Sequence, residues 1–389
     1  MAKKRAKSSV TRSTESPVVS RHVPHLRRLV LFVRAGGRCE FDGCNDYLIE
    51  DALTLTEGNF SEVAHIVAFR PDGARGRESN RPTDVNNIDN LMLLCPKHHK
   101  LIDDHPSNYT RHGLEIYKKA HEGRIRHLTS LGANRKTAIL ILKAPIAGQT
   151  VAVPFDHIVE AVAPRYPMTR DPLTINLTEI PTNSEEHLRT ACDAIAPRVA
   201  TLFSPEGEAT KAGHVSVFAL APIPLLAFLG RQITSKVAVD VFQRHRDTEN
   251  WTWKPDGPRT TYSVDVVRKG DRERVALALS LSGKIAISDL PEAIRDSSTI
   301  YELTLASGTP SPTFLRTRDD LDAFRLAYQE LLGRVLQQHG PLESVDFFPA
   351  VPAPVAVLCG RELLPKVHPK LRVFDYDKGA GGFTYKLTI

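Results

Sequence analysis

Four sulfur and imidazole side chains, split between two short knuckles, constrain this chain more than any other feature. Cys39-x4-Cys44 makes one knuckle and Cys95-x-x-His98 the other. Four soft or borderline donors at such spacings suit a closed tetrahedral site for a structural Zn²⁺. If His98 serves that site, its neighbour His99 is left for another task. Between the knuckles a β-branched run, Val63 to Val67, carries His65 and predicts a short strand. A stretch rich in Gly, Arg, Pro, Asp and Asn follows and predicts a loop; the apolar run Leu91 to Leu94 then predicts a second strand.

A histidine on a strand, an asparagine at the end of a loop and a histidine opening a helix are held together here by that zinc site. Ala64-His65-Ile66, Asn90, and Leu94-Cys95-Pro-Lys-His98-His99-Lys-Leu-Ile-Asp103 carry the pattern. It resembles the HNH endonuclease family, in the branch found in restriction and defence enzymes, over roughly residues 25–130. The resemblance implies an α+β, zinc-stapled ββα-metal domain that hydrolyses phosphodiesters. Catalysis would rest on His65, Asn90 and His99. A neutral imidazole, with a pKa near 6.5, can take a proton from water at neutral pH, which suits His65 as base. His99 would hold a catalytic Mg²⁺ or Mn²⁺, and Asn90 would hold the loop that aims His65.

One position departs from the pattern. Many family members place an acid directly before the base, where this chain has Ala64. Hard divalent cations still prefer oxygen. Asp103, four residues after His99 and on the same helical face, is the leading carboxylate, against a plain reading as a solvated or capping residue. Strand alternation puts Glu62 on the face opposite His65 and makes it the weaker candidate.

The 389 residues predict two or three domains, and the 41% apolar and 7% aromatic content is ordinary for globular proteins. No apolar run is long enough for a membrane helix, and the N-terminus has no secretory h-region. Three of the five cysteines fall in the knuckles; Cys192 and Cys359 read as buried thiols, which suits a reducing cytoplasm. The net charge of +6 is uneven, with a basic polar arm at residues 1–20 that is either a set of phosphate contacts or a solubilising tail. The nuclease-like domain then spans 21–131. Its first helix, over 21–36, should bury Val23, Leu26, Leu29, Val30 and Val33 and stop at Gly36-Gly37. Arg70, Arg75, Arg77 and Arg81, in the loop before Asn90, suit a DNA backbone or a solvated surface. A basic amphipathic helix from Gly113 to about Leu131 closes the domain, and 132–137 reads as linker.

Residues 138–389 repeat themselves. Ala138-Ile-Leu-Ile-Leu, Leu173-Thr-Ile-Asn, a helix from Ser184 to Leu202, a run ending Pro222-Ile-Pro224…Leu229-Gly-Arg231, and Val237 to Phe242 form one series. Val275-Ala-Leu-Ala-Leu, Thr299-Ile-Tyr-Glu-Leu, a helix from Arg318 to His339, a run ending Pro352-Ala-Pro354…Cys359-Gly-Arg361, and Leu371 to Tyr376 form the other, about 130 residues on. Two repeats, about 138–258 and 259–389, are the economical reading. Alternating strands and helices predict a mostly parallel sheet with helices on both faces. Ligands in such folds lie beyond the carboxyl ends of strands, at helix N-termini that favour phosphate. Those positions are Pro222, Pro224 and Pro352. Gln243, Arg244 and Tyr376, just past strand ends, and Trp251 and Trp253, on one face of an extended run with rings that could stack on bases or close the core, complete the candidates. Arg231 and Arg361 could reach a phosphate or cap their own helices.

This duplicated region, behind a nuclease-like domain, looks like the SAVED domain, a sensor of two CARF/Rossmann-like repeats in bacterial antiphage (CBASS) signalling. The resemblance implies a cyclic di- or oligonucleotide activator, a double-stranded DNA substrate, and a homo-oligomer (dimer at rest, tetramer when activated) without membrane attachment. Two other readings compete: a restriction-type nuclease whose C-terminal region reads specific or modified DNA, and a non-catalytic zinc module that binds DNA. The first would carry a denser basic surface; the second leaves the set His65, Asn90 and His99 unexplained.

Overall fold

The computed structural model describes residues 22–77, 80–146, 148–149, 152–182, 184–233, 235–257 and 259–389. The basic arm at 1–20 lies outside them. The chain divides into two compact units, residues 1–132 and 133–389.

In the first unit, α1 (His25–Ala35) precedes an irregular segment, then β1 (Glu62–His65), β2 (Leu91–Leu94), α2 (Pro96–Asp104) and α3 (Arg111–Thr129). Helix α1 ends where glycine allows it, with Gly36 and Gly37 at φ +63° and +66°. Its buried face is not the expected one. Val23, just ahead of the helix, is buried as expected and Val30 is half-buried. Within the helix, however, Leu31 and Ala35 are buried, whereas Leu26, Leu29 and Val33 are 69, 52 and 68% exposed. Apolar residues ring this short helix, so periodicity alone does not choose which side meets the core. Strands β1 and β2 pair antiparallel, Glu62 opposite Leu94 and His65 opposite Leu91. All of β2 is buried, and it joins Leu48, Ile66, Ile102 and Leu114 in one core. Pro96 occupies the first turn of α2, where its missing N–H leaves no partner wanting.

The second unit begins with β3 (Lys136–Lys143), α4 (Phe155–Val162), the two-residue β4 (Tyr166–Pro167), β5 (Leu173–Asn176), α5 (Glu185–Leu202), α6 (Glu208–Ala212), β6 (His214–Leu220), α7 (Ile223–Gln232) and β7 (Ala238–Phe242). It continues with β8 (Tyr262–Arg268), β9 (Asp271–Ser280), α8 (Glu292–Ser297), β10 (Ser298–Leu305), α9 (Arg318–His339), β11 (Ser344–Ala350), α10 (Ala353–Arg361), β12 (Lys370–Asp377) and β13 (Gly382–Thr388). Strand β3 takes up the end of the expected linker, and Thr137 is fully buried.

Two sheets result. In the first, β3 pairs with β6, β6 with β7, and β4 and β5 share the other edge of β3, all parallel. The second runs β13-β12-β11-β9-β10-β8; its four inner strands are parallel, and the flanking β8 and β13 are antiparallel. The order β5-β3-β6-β7 thus matches β10-β9-β11-β12. Strand β8 was not anticipated: it has no counterpart in the first series of runs, and it pairs antiparallel with β10 at the sheet edge.

One core takes side chains from both sheets and from α5, α7, α9 and α10, so these helices lie between the sheets. Helix α4 covers the outer face of the first sheet, and α8 that of the second. Helices α7 and α10 cross through a reciprocal glycine pair. A Cβ on Gly230 would fall 1.9 Å from the Val357 carbonyl oxygen, and one on Gly360 would fall 1.9 Å from that of Ala227. The repeated Gly-Arg is therefore first a packing device. Arg231 does not cap its own helix: its Nη1 donates to the Leu363 carbonyl, just past α10 (3.4 Å). Arg361 lies beside Glu362 (3.8 Å).

Candidate functional site

The donor atoms of Cys39, Cys44, Cys95 and His98 all lie within 4.8 Å of one another. Nδ1 of His98 is 3.2 Å from the Cys95 sulfur and 3.8 Å from that of Cys39, and its ring stacks on Phe41 at 4.1 Å. Burial pushes the Cys39 and Cys44 thiols up and the His98 imidazole down. Three thiols and a neutral imidazole converging this tightly fit a tetrahedral metal, which would take the thiols as thiolates. Next to them Glu40 is buried and pushed up to about 7 by that burial, while its Oε2 accepts the Leu93 N–H at 2.6 Å.

His65 ends β1, half-buried, with Nε2 2.9 Å from Oδ1 of Asn86. The hydrogen bonds of the Asn90 side chain go to the backbone around His65 and not to the His65 ring. Oδ1 of Asn90 accepts the Val67 N–H (2.9 Å), and its Nδ2 donates to the Val67 and Val85 carbonyls (3.0 and 2.8 Å).

His99, in the first turns of α2, lies between two carboxylates. Its Nε2 is 3.5 Å from Oδ2 of Asp103, and its Nδ1 contacts the Glu62 carboxylate directly. Both candidate carboxylates thus reach His99, Glu62 included, on opposite ring nitrogens. Alternation compared Glu62 with His65 along one strand, but α2 packs against the β1 end that carries Glu62, and His99 reaches it there. Asp103 shares its other oxygen with Arg75 (3.5 Å).

The four loop arginines divide. Arg75 is buried and donates to the carbonyls of Ile66, Ile102 and Tyr109. Arg81 donates to those of Gly76 and Phe69. Both bind the loop to the fold and are not free for DNA; Arg70 and Arg77 are exposed.

In the second unit, Pro222 and Pro352 cap the N-termini of α7 and α10, just past β6 and β11, and Pro224 is buried in the first turn of α7. Gln243 and Arg244 follow β7; Arg244 pairs with Glu249 (3.5 Å), and Gln243 donates to the Arg244 carbonyl. Tyr376 lies within β12 rather than past its end, because β12 runs on to Asp377 in pairing with β13, and it is 47% exposed. The tryptophans do not share an exposed face. Trp251 is 1% exposed and packs edge-on against Phe218, so it closes the core beneath α4. Trp253 is half-buried against His245 and lines a cavity of about 550 Å³ with Arg135, Arg165 and Arg318. Cys359 is buried as expected, while Cys192 is only partly so.

Residues 195–389 match the SAVED family, described as the SMODS-associated and fused to various effectors sensor domain. The chain belongs to the SAVED family. Residues 39–106 match the HNH endonuclease family, so this SAVED chain carries an HNH nuclease, a phosphodiester hydrolase, ahead of its sensor domain. The fold is similar to an Acinetobacter baumannii Cap4 SAVED/CARF-domain containing receptor with the cyclic trinucleotide 2′3′3′-cAAA. That match has 12% identity and a TM-score of 0.42, over 79% of this chain and 64% of that one. The same receptor with 3′3′3′-cAAA gives 11% and 0.43 over 79 and 64%, and a Moraxella osloensis Cap4 receptor gives 8% and 0.40 over 79 and 70%. This chain thus spans about two thirds of the length of the receptors it matches. No curated protein matches it. Among the described residues, no helix is long and apolar enough to cross a membrane.

Proposed function

We propose that this SAVED chain is a metal-dependent HNH endonuclease that degrades double-stranded DNA when its sensor binds a cyclic oligonucleotide, as an effector of bacterial antiphage defence. The observation that carries this reading is the presence in one chain of an HNH match at 39–106 and a SAVED match at 195–389. The matching strand orders β5-β3-β6-β7 and β10-β9-β11-β12 support two CARF/Rossmann-like repeats. Their helix N-termini at Pro222, Pro224 and Pro352, with Gln243, Arg244, Trp253 and Tyr376, are the proposed ligand contacts.

In the nuclease, the His65 ring takes a proton from water. The water oxygen bonds to phosphorus, and the bond from phosphorus to the leaving sugar oxygen breaks, its electron pair staying on that oxygen, which takes a proton from solvent. Asn90 holds the backbone on either side of this centre. At His99 a cation would meet one ring nitrogen and one carboxylate, Glu62 beside Nδ1 or Asp103 beside Nε2, a nitrogen–oxygen pair suited to Mg²⁺ or Mn²⁺. Such a cation, when bound, neutralises charge on the phosphate and the departing oxygen. Cys39, Cys44, Cys95 and His98 hold a structural Zn²⁺.

Plasmid degradation, assayed with Mg²⁺ or Mn²⁺ against a panel of cyclic di- and trinucleotides, tests the reading. At least one ligand should switch cleavage on, and His65→Ala should lower the rate by about 10²–10⁴-fold with zinc content and ligand binding unchanged. Constitutive, sequence-selective cutting would point to a restriction enzyme instead.

A further inference from the structure

We infer that Asn86 is the positioning residue that fixes which ring nitrogen of His65 accepts the proton, an inference that rests on the HNH reading above. An imidazole base works through one nitrogen only if the other holds the ring proton, and the partner of that other nitrogen decides the tautomer. Among the described residues, the hydrogen-bond partner of the His65 ring is Oδ1 of Asn86, 2.9 Å from Nε2. An amide oxygen can only accept, so Nε2 carries the proton and donates it. Nδ1 is left with its lone pair and with no protein partner among the described residues, ready for water.

The surroundings hold this pair from both sides. Asn86 is buried, and its backbone N–H donates to Oδ1 of Asp84 (3.1 Å), which is itself paired with Arg27 (2.7 Å). Asn90 grips Val67, two residues after His65, and the carbonyl of Val85, the residue before Asn86. One asparagine thus ties together the two backbone segments that carry the other asparagine and its histidine. Neutrality matters as well. A carboxylate in place of the amide would favour the imidazolium and withdraw the base at neutral pH. The charged groups nearby are Glu62 on β1, His99 and Asp103 on α2, and Asp84 and Arg75 in the loop. Glu62 and Asp103 each contact His99, Arg75 bonds the Ile66 carbonyl and pairs with Asp103, and Asp84 pairs with Arg27.

Two substitutions and one spectrum test this on the full-length chain. Asn86→Ala should lower kcat by about 10- to 100-fold with little change in KM for DNA. Asn86→Asp should move the acid limb of the kcat/KM profile up by about one pH unit, so that activity lost at pH 7 returns near pH 9. A merely structural asparagine would give an Asn86→Asp profile of unshifted shape, which overturns the proposal, as would wild-type kcat in Asn86→Ala. Long-range ¹H–¹⁵N correlation spectra of histidine-labelled protein, with His65 assigned by its loss in His65→Gln, should show the Nε2–H tautomer. That readout needs no cleavage, so it stands apart from the nuclease assay; an Nδ1–H tautomer would overturn the assignment.

Discussion

At the scale of single residues, the contest is between two carboxylates beside His99. Asp103 divides its oxygens between His99 and the Arg75 guanidinium, whereas Glu62 contacts His99 Nδ1 and is about half exposed. A cation shared with His99 would compete with Arg75 for Asp103, and Glu62 faces no such competitor. Glu62→Gln should therefore raise the Mn²⁺ concentration for half-maximal cleavage by about 10- to 100-fold, and Asp103→Asn by clearly less. Metal titrations of the two variants decide it, and the reverse order would restore Asp103. Trp251 gives a second prediction. Its ring is fully buried under α4, so Trp251→Ala should lower stability by about 3–5 kcal/mol in denaturant unfolding. If the folded variant lost ligand affinity at unchanged stability, the ring would belong to the pocket after all.

At the scale of elements, much was legible because local chemistry and tertiary need agree. Helix α5 runs within a residue of the expected Ser184–Leu202 and α9 over the expected Arg318–His339, and the four knuckle donors converge as their spacing requires. Other features were not legible. Which side of α1 is buried depends on β2 and α3, and the Asn86–His65 bond joins a loop to a strand through no periodic signal. The closest approach in the second unit was visible only as a repeated Gly-Arg, with its purpose hidden. Because a Cβ there would sit 1.9 Å from a carbonyl oxygen, Gly230→Ala or Gly360→Ala should force α7 and α10 apart. The expected cost is about 3 kcal/mol or more, read as a fall in the unfolding midpoint. A fall of less than about 1 kcal/mol would mean that the helices slide apart freely. The metal quartet makes a separate claim about the first unit. Cys95→Ser should purify without zinc and melt several degrees lower in that unit alone. Wild-type protein prepared with zinc yet carrying none would remove the staple from the account.

At the scale of the whole molecule, the question is how one nuclease centre per chain would degrade the double-stranded substrate proposed for it. A single HNH centre cuts one strand per visit, so a lone chain should release nicked circles and need a second encounter to make a break. Two chains assembled through their sensors would present two centres to one duplex at high effective concentration. Ligand-driven self-association therefore predicts a particular product pattern. At protein concentrations above the assembly midpoint, the activating ligand should convert supercoiled plasmid directly to linear and then shorter DNA. Below the midpoint, nicked circles should accumulate and the rate should rise more steeply than linearly with protein concentration. Sedimentation of the full chain with and without ligand should show the mass increase over the same range. Nicked circles at every concentration, with a mass that ligand leaves unchanged, would mean that the sensor acts within one chain and that assembly is not the switch.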